Sequence, residues 1–175
     1  MSEASVTLEK MNLAEQQIRQ EQKQINYTTR EYPIEVLVDK YLTGIDDNSN
    51  ELFIPDPHKG MRWDEEHQSN FIEFIFLGFS ITGIYVSEVW SENDQDDRKL
   101  EMIDGSQRLQ TLARFVNNQL TLCNLSKLTQ LNGVQFASLS NALQRKFRRR
   151  SVRVVQFNPD TTEEDRRDFF ERFNS

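Results

Sequence analysis

Across Asp104-Gly105 the spacing of apolar residues changes, and that change limits what this chain can fold into. Before it, Lys99 to Ile103 reads as a strand. After it, Leu109, Leu112, Ala113 and Val116 recur at i, i+3, i+4 and i+7, the stripe of a helix from Ser106 to about Asn117. A strand that turns at once into an amphipathic helix needs a sheet for its first half and a helical layer for its second. The neighbouring segments supply both. Helices are expected over Ile34 to Tyr41 (apolar side Val36, Leu37 and Tyr41), from an Asp64 N-cap to about Leu77 with Gly78 as the C′ residue, over Leu139 to Arg149, and from a Thr161 or Thr162 cap to about Phe173. Strands are expected at Leu52 to Ile54, Ile84 to Trp90 and Ser151 to Phe157, with a further short one at Leu120 to Leu122. Ser91 to Asp97 is an acidic hairpin loop, and Leu125 to Phe136 is an irregular link. Strands and helices mix without an internal repeat, so the fold class is α+β.

Residues 1–28 differ from the rest: rich in Gln and Glu, with only Leu8, Met11, Ile18 and Ile25 at loosely helical spacing. They read as a helical arm, either solvated or docked on a partner or on the core. The folded domain spans 29–175.

The 175 residues carry 21 Lys+Arg against 28 Asp+Glu, a formal net charge of −7. Coating DNA by bulk charge is excluded, and a local basic patch is not. Cys123 is the single cysteine and sits among Leu120, Leu122 and Leu125, so it reads as a packing residue. With two histidines, His58 and His67, a structural zinc site is not expected. No apolar run is long enough to span a bilayer, and MSEASVTLEK has neither the basic nor the apolar region of a secretory signal. No membrane partner is expected, and the location expected is the cytoplasm.

Chemistry concentrates in Met102 to Leu112. A helix N-terminus offers unpaired N–H groups and a partial positive charge. Gly105 permits a close backbone approach, and Arg108 in the first turn presents a planar fork. Together these suit a phosphate, with Asp104 orienting a water or a metal ion or holding Arg108. The same residues also suit a plain helix start, with Asp104 as N-cap and Arg108 as its surface partner, and both readings stand on this ground alone.

Ile103 to Leu112 resembles the Asp-Gly-Gln-Gln-Arg signature of the N-terminal domain of GmrSD-type restriction proteins. Two further stretches are similar to that family: Ile54-Pro55 followed by Trp63 and an aromatic helix ending in Leu77-Gly78, and Phe169 to Ser175. The resemblance runs from about Tyr32 to the last residue. It implies a ParB/sulfiredoxin-like core and a domain that binds, and in many members hydrolyses, a nucleoside triphosphate with Mg²⁺. It implies a place in an anti-phage system that senses modified DNA and works with a nuclease domain or subunit. Asp104, Gly105, Gln107 and Arg108 match the signature, while Ser106 replaces its first Gln. His58 and Lys59 stand where the family has Gln-Arg. The implied site is therefore Asp104, Gln107 and Arg108 as catalytic residues, with His58, Lys59, Arg62, Gly105, Ser106 and Arg108 holding the nucleotide. No nuclease motif is present, and the chain stops where related proteins continue, so the domain is expected to be cut short at its C-terminal end.

A basic run, Arg145, Lys146, Arg148, Arg149, Arg150 and Arg153, falls where a helix passes into a strand. It reads as a phosphate-contacting nucleic-acid surface, as a solvated face, or as arginines paired with acids such as those of Ser91–Asp97 or Glu163–Asp165. Trp63 reads as a packing anchor, and His67 as a surface residue. The alternative to a nucleotide-binding module is a non-catalytic nucleic-acid-binding or protein-interaction domain with a degenerate pocket.

Overall fold

The computed structural model describes residues 3–22, 26–92, 94 and 96–173. Ile25 of the arm and Asn174 and Ser175 of the last family-like stretch lie outside these residues.

The helix-plus-sheet requirement is met by a five-stranded mixed sheet in the order β1-β5-β3-β4-β2. Its strands are β1 (Tyr27–Pro33), β2 (Leu52–Phe53), β3 (Ile81–Trp90), β4 (Arg98–Asp104) and β5 (Ser151–Phe157). β3 and β4 form an antiparallel hairpin, β3 runs parallel to β5, β2 adds parallel to β4, and β1 closes the other edge antiparallel to β5. The fold is α+β.

Alternation assigns the two faces. Ile84, Val86, Val152 and Val154 point to one face, where they meet the main core. The helices over that core are α2 (Ile34–Leu42), α3 (Glu65–Phe76), α4 (Ser106–Val116) and α5 (Asn141–Arg148). Phe115, Phe136 and Phe147 meet there with ring centroids 5.2 to 5.8 Å apart, and Phe76 joins them from α3 at 5.3 Å from Phe147. On the opposite face Phe169 of α6 (Glu163–Phe173) lies against Tyr85 and Phe157, at 6.0 and 5.5 Å.

Capping chemistry sets the helix limits. The Asp64 side chain accepts from the His67 N–H at 2.8 Å, so α3 starts where its sequence says. It ends in a left-handed Gly78 (φ 92°), with the Gly78 N–H bonded to Ile75 O and the Phe79 N–H to Phe74 O. That is a Schellman ending, and its usual apolar contact is the Phe74–Phe79 stack at 4.6 Å. Ser140 caps α5, and Thr162 caps α6 by accepting from the Asp165 N–H at 3.1 Å.

Four expectations change. β1 begins at Tyr27, inside the range read as the arm. It is a polar edge strand, largely exposed, and so carries no period-two apolar signal. The arm helix itself is α1 (Glu3–Gln22). Leu120–Leu122 is not a strand: Leu122 exchanges backbone bonds with Gly133 and Val134 of the following loop, while Leu120 and Leu122 are buried from an irregular segment. Val36 turns outward, because α2 buries Ile34, Leu37 and Val38 instead. Gly105, not Asp104, occupies the N-cap of α4.

Phe115 has no exposed surface and touches three other rings. Phe115→Ala is expected to lower the unfolding free energy by about 3–5 kcal/mol in urea denaturation, with the cavity it leaves as the cause. The edge strand should respond to acid instead. The Ser151 hydroxyl and the Arg153 guanidinium hold the Glu31 carboxyl below its ordinary value. A depressed carboxylate stabilises the fold above its unfolded pKa, and that contribution fades as pH falls through the lowered folded value. Amide exchange along β1, corrected for intrinsic rates, is therefore expected to be flat through neutrality and to accelerate only below about pH 4.

Candidate functional site

The site is built around two glycines. β3 carries a bulge at Thr82-Gly83, where its register against β5 slips between Ile81 and Ile84, and Gly83 has φ 81°. β4 ends beside it at Asp104, paired with Tyr85, and the chain turns through Gly105 at φ 102° into α4. A Cβ on Gly105 would stand 2.5 Å from the Gly83 carbonyl oxygen and 3.0 Å from Ile84 Cα. The close approach that requires a glycine here is thus to strand β3. Both the space and the left-handed backbone exclude other residues.

Arg108 completes this packing. Its Nη1 donates to the Gly83 carbonyl at 3.1 Å, and its guanidinium carbon lies 6.0 Å from the centre of the Trp63 ring. The side chain is half-buried and pinned across the turn rather than released into bulk solvent. Trp63 is also stacked on His67 at 4.3 Å and set edge-on to Phe71 at 5.7 Å, so it anchors the start of α3. Asp104 turns Oδ1 onto the Gly105 N–H at 2.9 Å. No side chain caps α4, which leaves its first-turn N–H groups for another acceptor.

Gln107 joins this turn to the loop after β2. Its Oε1 accepts from the N–H groups of Arg62 and Trp63 at 2.6 and 3.1 Å, and its Nε2 donates to Gly60 O at 3.0 Å. One amide satisfies three backbone groups, so the stretch from Gly60 to Trp63 moves with α4. The structure therefore brings the Arg62 and Gly60 backbone to the Asp104–Arg108 turn. It places His58 and Lys59 farther along the same loop, both exposed, with Lys59 paired to Asp56 at 2.8 Å. That pairing holds the Asp56 carboxyl below its ordinary value.

On the far side of this loop opens a cleft of about 780 Å³. Tyr41, Phe53, Trp90, Lys59, Lys99, Glu101 and Gln110 are among its walls, whereas Asp104 and Arg108 are not. Lys99 donates to Asn48 O at 2.7 Å and rests 5.7 Å from the Phe53 ring centre. Gln110, one turn beyond Gln107, keeps a buried Oε1 without a hydrogen-bond partner. Sequence reading does not single out Gln110, Trp90 or Lys99. Only the i+3 step from Gln107 marks Gln110 as sharing its side of α4. Among the described residues no group of three or more His, Cys, Asp or Glu is placed to hold a metal ion.

The basic run divides. Arg145, Lys146 and Arg149 are exposed. Arg148 lies over the Phe136 ring at 5.0 Å, Arg150 donates to Phe79 O, and Arg153 pairs with Glu31 at 3.3 Å. Among the described residues no ion pair links the run to Ser91–Asp97 or Glu163–Asp165; the acid that Arg153 meets is Glu31.

A family model described as the GmrSD restriction endonuclease N-terminal domain matches residues 34–175. No curated protein and no solved structure matches the chain.

Gly83→Ala would put a methyl group 2.9 Å from Arg108 Nη1 and impose a left-handed backbone on alanine. A loss of about 1–3 kcal/mol is expected from denaturant unfolding. Gln107→Ala should cost about 1–3 kcal/mol, with amide exchange rising selectively at Arg62 and Trp63, the two N–H groups left without their acceptor.

Proposed function

The chain belongs to the family of GmrSD restriction endonuclease N-terminal domains, over residues 34–175, and from that membership we propose that it is the nucleotide-binding module of a GmrSD-type DNA restriction system. The observation that carries this reading is the Gln107 staple. It holds the loop bearing His58, Lys59 and Arg62 against the uncapped first turn of α4. A triphosphate laid along that turn would accept from the free N–H groups of Ser106 to Arg108 and gain from the positive end of the helix dipole. Arg108, half-buried beside Trp63, can supply a fork to the phosphates while keeping its bond to Gly83. In this reading Lys59 and His58 swing toward that turn only when the nucleotide binds, with Lys59 leaving Asp56 for phosphate.

Mg²⁺ fits this arrangement as an ion carried by the phosphates. No preformed cage exists among the described residues, and Mg²⁺ commonly binds through one or two carboxylates plus nucleotide oxygens. Asp104 spends Oδ1 on Gly105 and keeps its other oxygen for the ion or a water. Gln107, fully engaged with the loop backbone, serves as a positioning residue. Hydrolysis, if the module performs it, falls to Asp104 and Arg108. The nuclease step is assigned to a partner domain or subunit, and the ParB/sulfiredoxin-like class is part of the same proposal.

A second reading rests on Arg145, Lys146 and Arg149, exposed on one side of α5. They would hold duplex DNA by its phosphates, which suits a module that reports on modified DNA.

Isothermal titration with each nucleoside triphosphate and Mg²⁺ tests the first reading. Binding is expected in the native chain and should weaken at least about tenfold in Arg108→Ala, or about 1.4 kcal/mol. Equal binding by a folded Arg108→Ala variant overturns it. For the second reading, Arg145→Ala/Lys146→Ala/Arg149→Ala should weaken DNA binding and flatten its log–log salt slope by about 2–3, since each phosphate no longer neutralised removes about 0.9. An unchanged slope removes the patch from the function.

A further inference from the structure

Two apolar surfaces of this chain are left uncovered, and they complement each other. The first lies where α3 ends beside α5. Phe74, Leu77, Phe79 and Leu143 are 42, 44, 54 and 42% exposed. Of these, Leu143 lines a groove of about 180 Å³ together with Ile75, Phe76, Gly78 and Phe147, and Leu77 and Phe79 flank Gly78 in sequence. The Schellman ending of α3 accounts for the contact between Phe74 and Phe79 but not for leaving both rings in water. Large apolar side chains exposed together mark an interaction surface more often than scattered ones do. The rim is basic: Lys146 and Arg150 line the groove, and Arg145 and Arg149 are neighbours on the same helix and its end.

The second surface is α1. Leu8, Met11 and Ile18 follow one another at i, i+3 and i+10, which places them on one side of the helix with Ala14 between. All three are at least half exposed. Glu15 and Glu21 fall within one turn of Ile18, toward the same side. The segment Glu3–Gln22 holds four Glu against Lys10 and Arg19. A 20-residue helix that covers none of its apolar stripe gains little from tertiary burial, the usual source of helix stability in water.

The geometry points to the α3–α5 groove as the docking site for α1 of a second copy of this chain. The apolar stripe of the helix would enter the groove, with Glu15 and Glu21 meeting the Lys146 and Arg149 rim. The arm leaves its own sheet at Tyr27, paired with Phe157, whereas the groove adjoins Arg150 at the opposite end of β1, where Pro33 pairs with Ser151. Seven strand residues, about 20 Å, separate the two ends. In such an exchange each copy lends its arm and receives the other's, so the contact is isologous and closes at two copies.

The test uses the full chain in analytical ultracentrifugation over a wide range of concentrations. A monomer–dimer equilibrium is expected. Leu143→Glu, in the groove, and Ile18→Glu, in the arm, should each raise the dimer dissociation constant at least about tenfold. Both positions are exposed in the single chain, so neither change should disturb its thermal unfolding. A mixture of the two variants should form more dimer than either alone, because one chain keeps an intact arm and the other an intact groove. Glu15→Lys should weaken the dimer, and combining it with Lys146→Glu in the same chain should restore it. The inference is overturned if the native chain stays monomeric at every concentration, if the dimer survives both glutamate variants, or if the mixture shows no recovery.

Discussion

The nesting of Gly105 against Gly83 is the contact on which the rest of the site depends. It brings the backbone turn at the end of β4 within 2.5 Å, measured from a would-be Cβ, of a carbonyl of β3. A side chain at Gly105 would have to move strand β3, and one at Gly83 would have to displace the Arg108 guanidinium. The contact fixes where α4 begins, and therefore where its free N–H groups lie. It also presents the Gly83 carbonyl to Arg108, which fixes the guanidinium across the turn. The bulge in β3 works in the same way: the extra residue before Ile84 aims that carbonyl at the helix start, and the register against β4 shifts as well between Tyr85 and Val86.

Much of this architecture is legible in the sequence, and the parts that are not share a physical cause. The α4 stripe, the Asp64 cap and the Gly78 stop rest on local rules in which a residue and its partner lie within four positions. The start of β1 is hidden because an edge strand exposed to water needs no apolar alternation, although Pro33 marks its end as extended backbone. Gly83 is hidden because a bulge breaks the alternation that marks a strand, so the pattern starts the strand only at Ile84. Gln107 illustrates a third limit. Its side-chain type suggests chemistry on a ligand, but its partners are backbone groups of Gly60, Arg62 and Trp63, 44 to 47 positions away. Backbone donors carry no residue identity, so no composition or motif announces such a staple. The same holds for Glu73, which is buried yet accepts from the Lys127 and Leu128 N–H groups and so orders the long link before α5.

Electrostatics sorts the surfaces of an acidic chain. A formal charge of −7 makes most of the surface unfavourable to phosphate. Among the described residues the exceptions include the α4 start with Arg108, the adjoining loop of His58, Lys59 and Arg62, and the end of α5. Where arginines of the basic run pack on aromatic rings or donate to carbonyls, as Arg148 and Arg150 do, they are fixed parts of the fold. Where they stand in solvent, as Arg145 and Arg149 do, they remain available to an acidic or phosphate partner.

For the proposed triphosphate, the 780 Å³ cleft is a poorer host than the motif turn. Asp47, Glu92 and Glu101 face that cleft beside Lys99, while Lys59 at its lip is already bonded to Asp56. A triphosphate placed inside would meet more carboxylates than free cations and would have to give up water to do so. At the α4 turn it would meet N–H donors, a dipole of favourable sign and Arg108, with Asp104 as the one carboxylate close by. The cleft walls offer the aromatic faces of Tyr41, Phe53 and Trp90, while the unpartnered Gln110 carbonyl oxygen is buried behind them. Gly60 belongs both to the cleft wall and to the Gln107 staple, so the cleft and the motif turn share one loop.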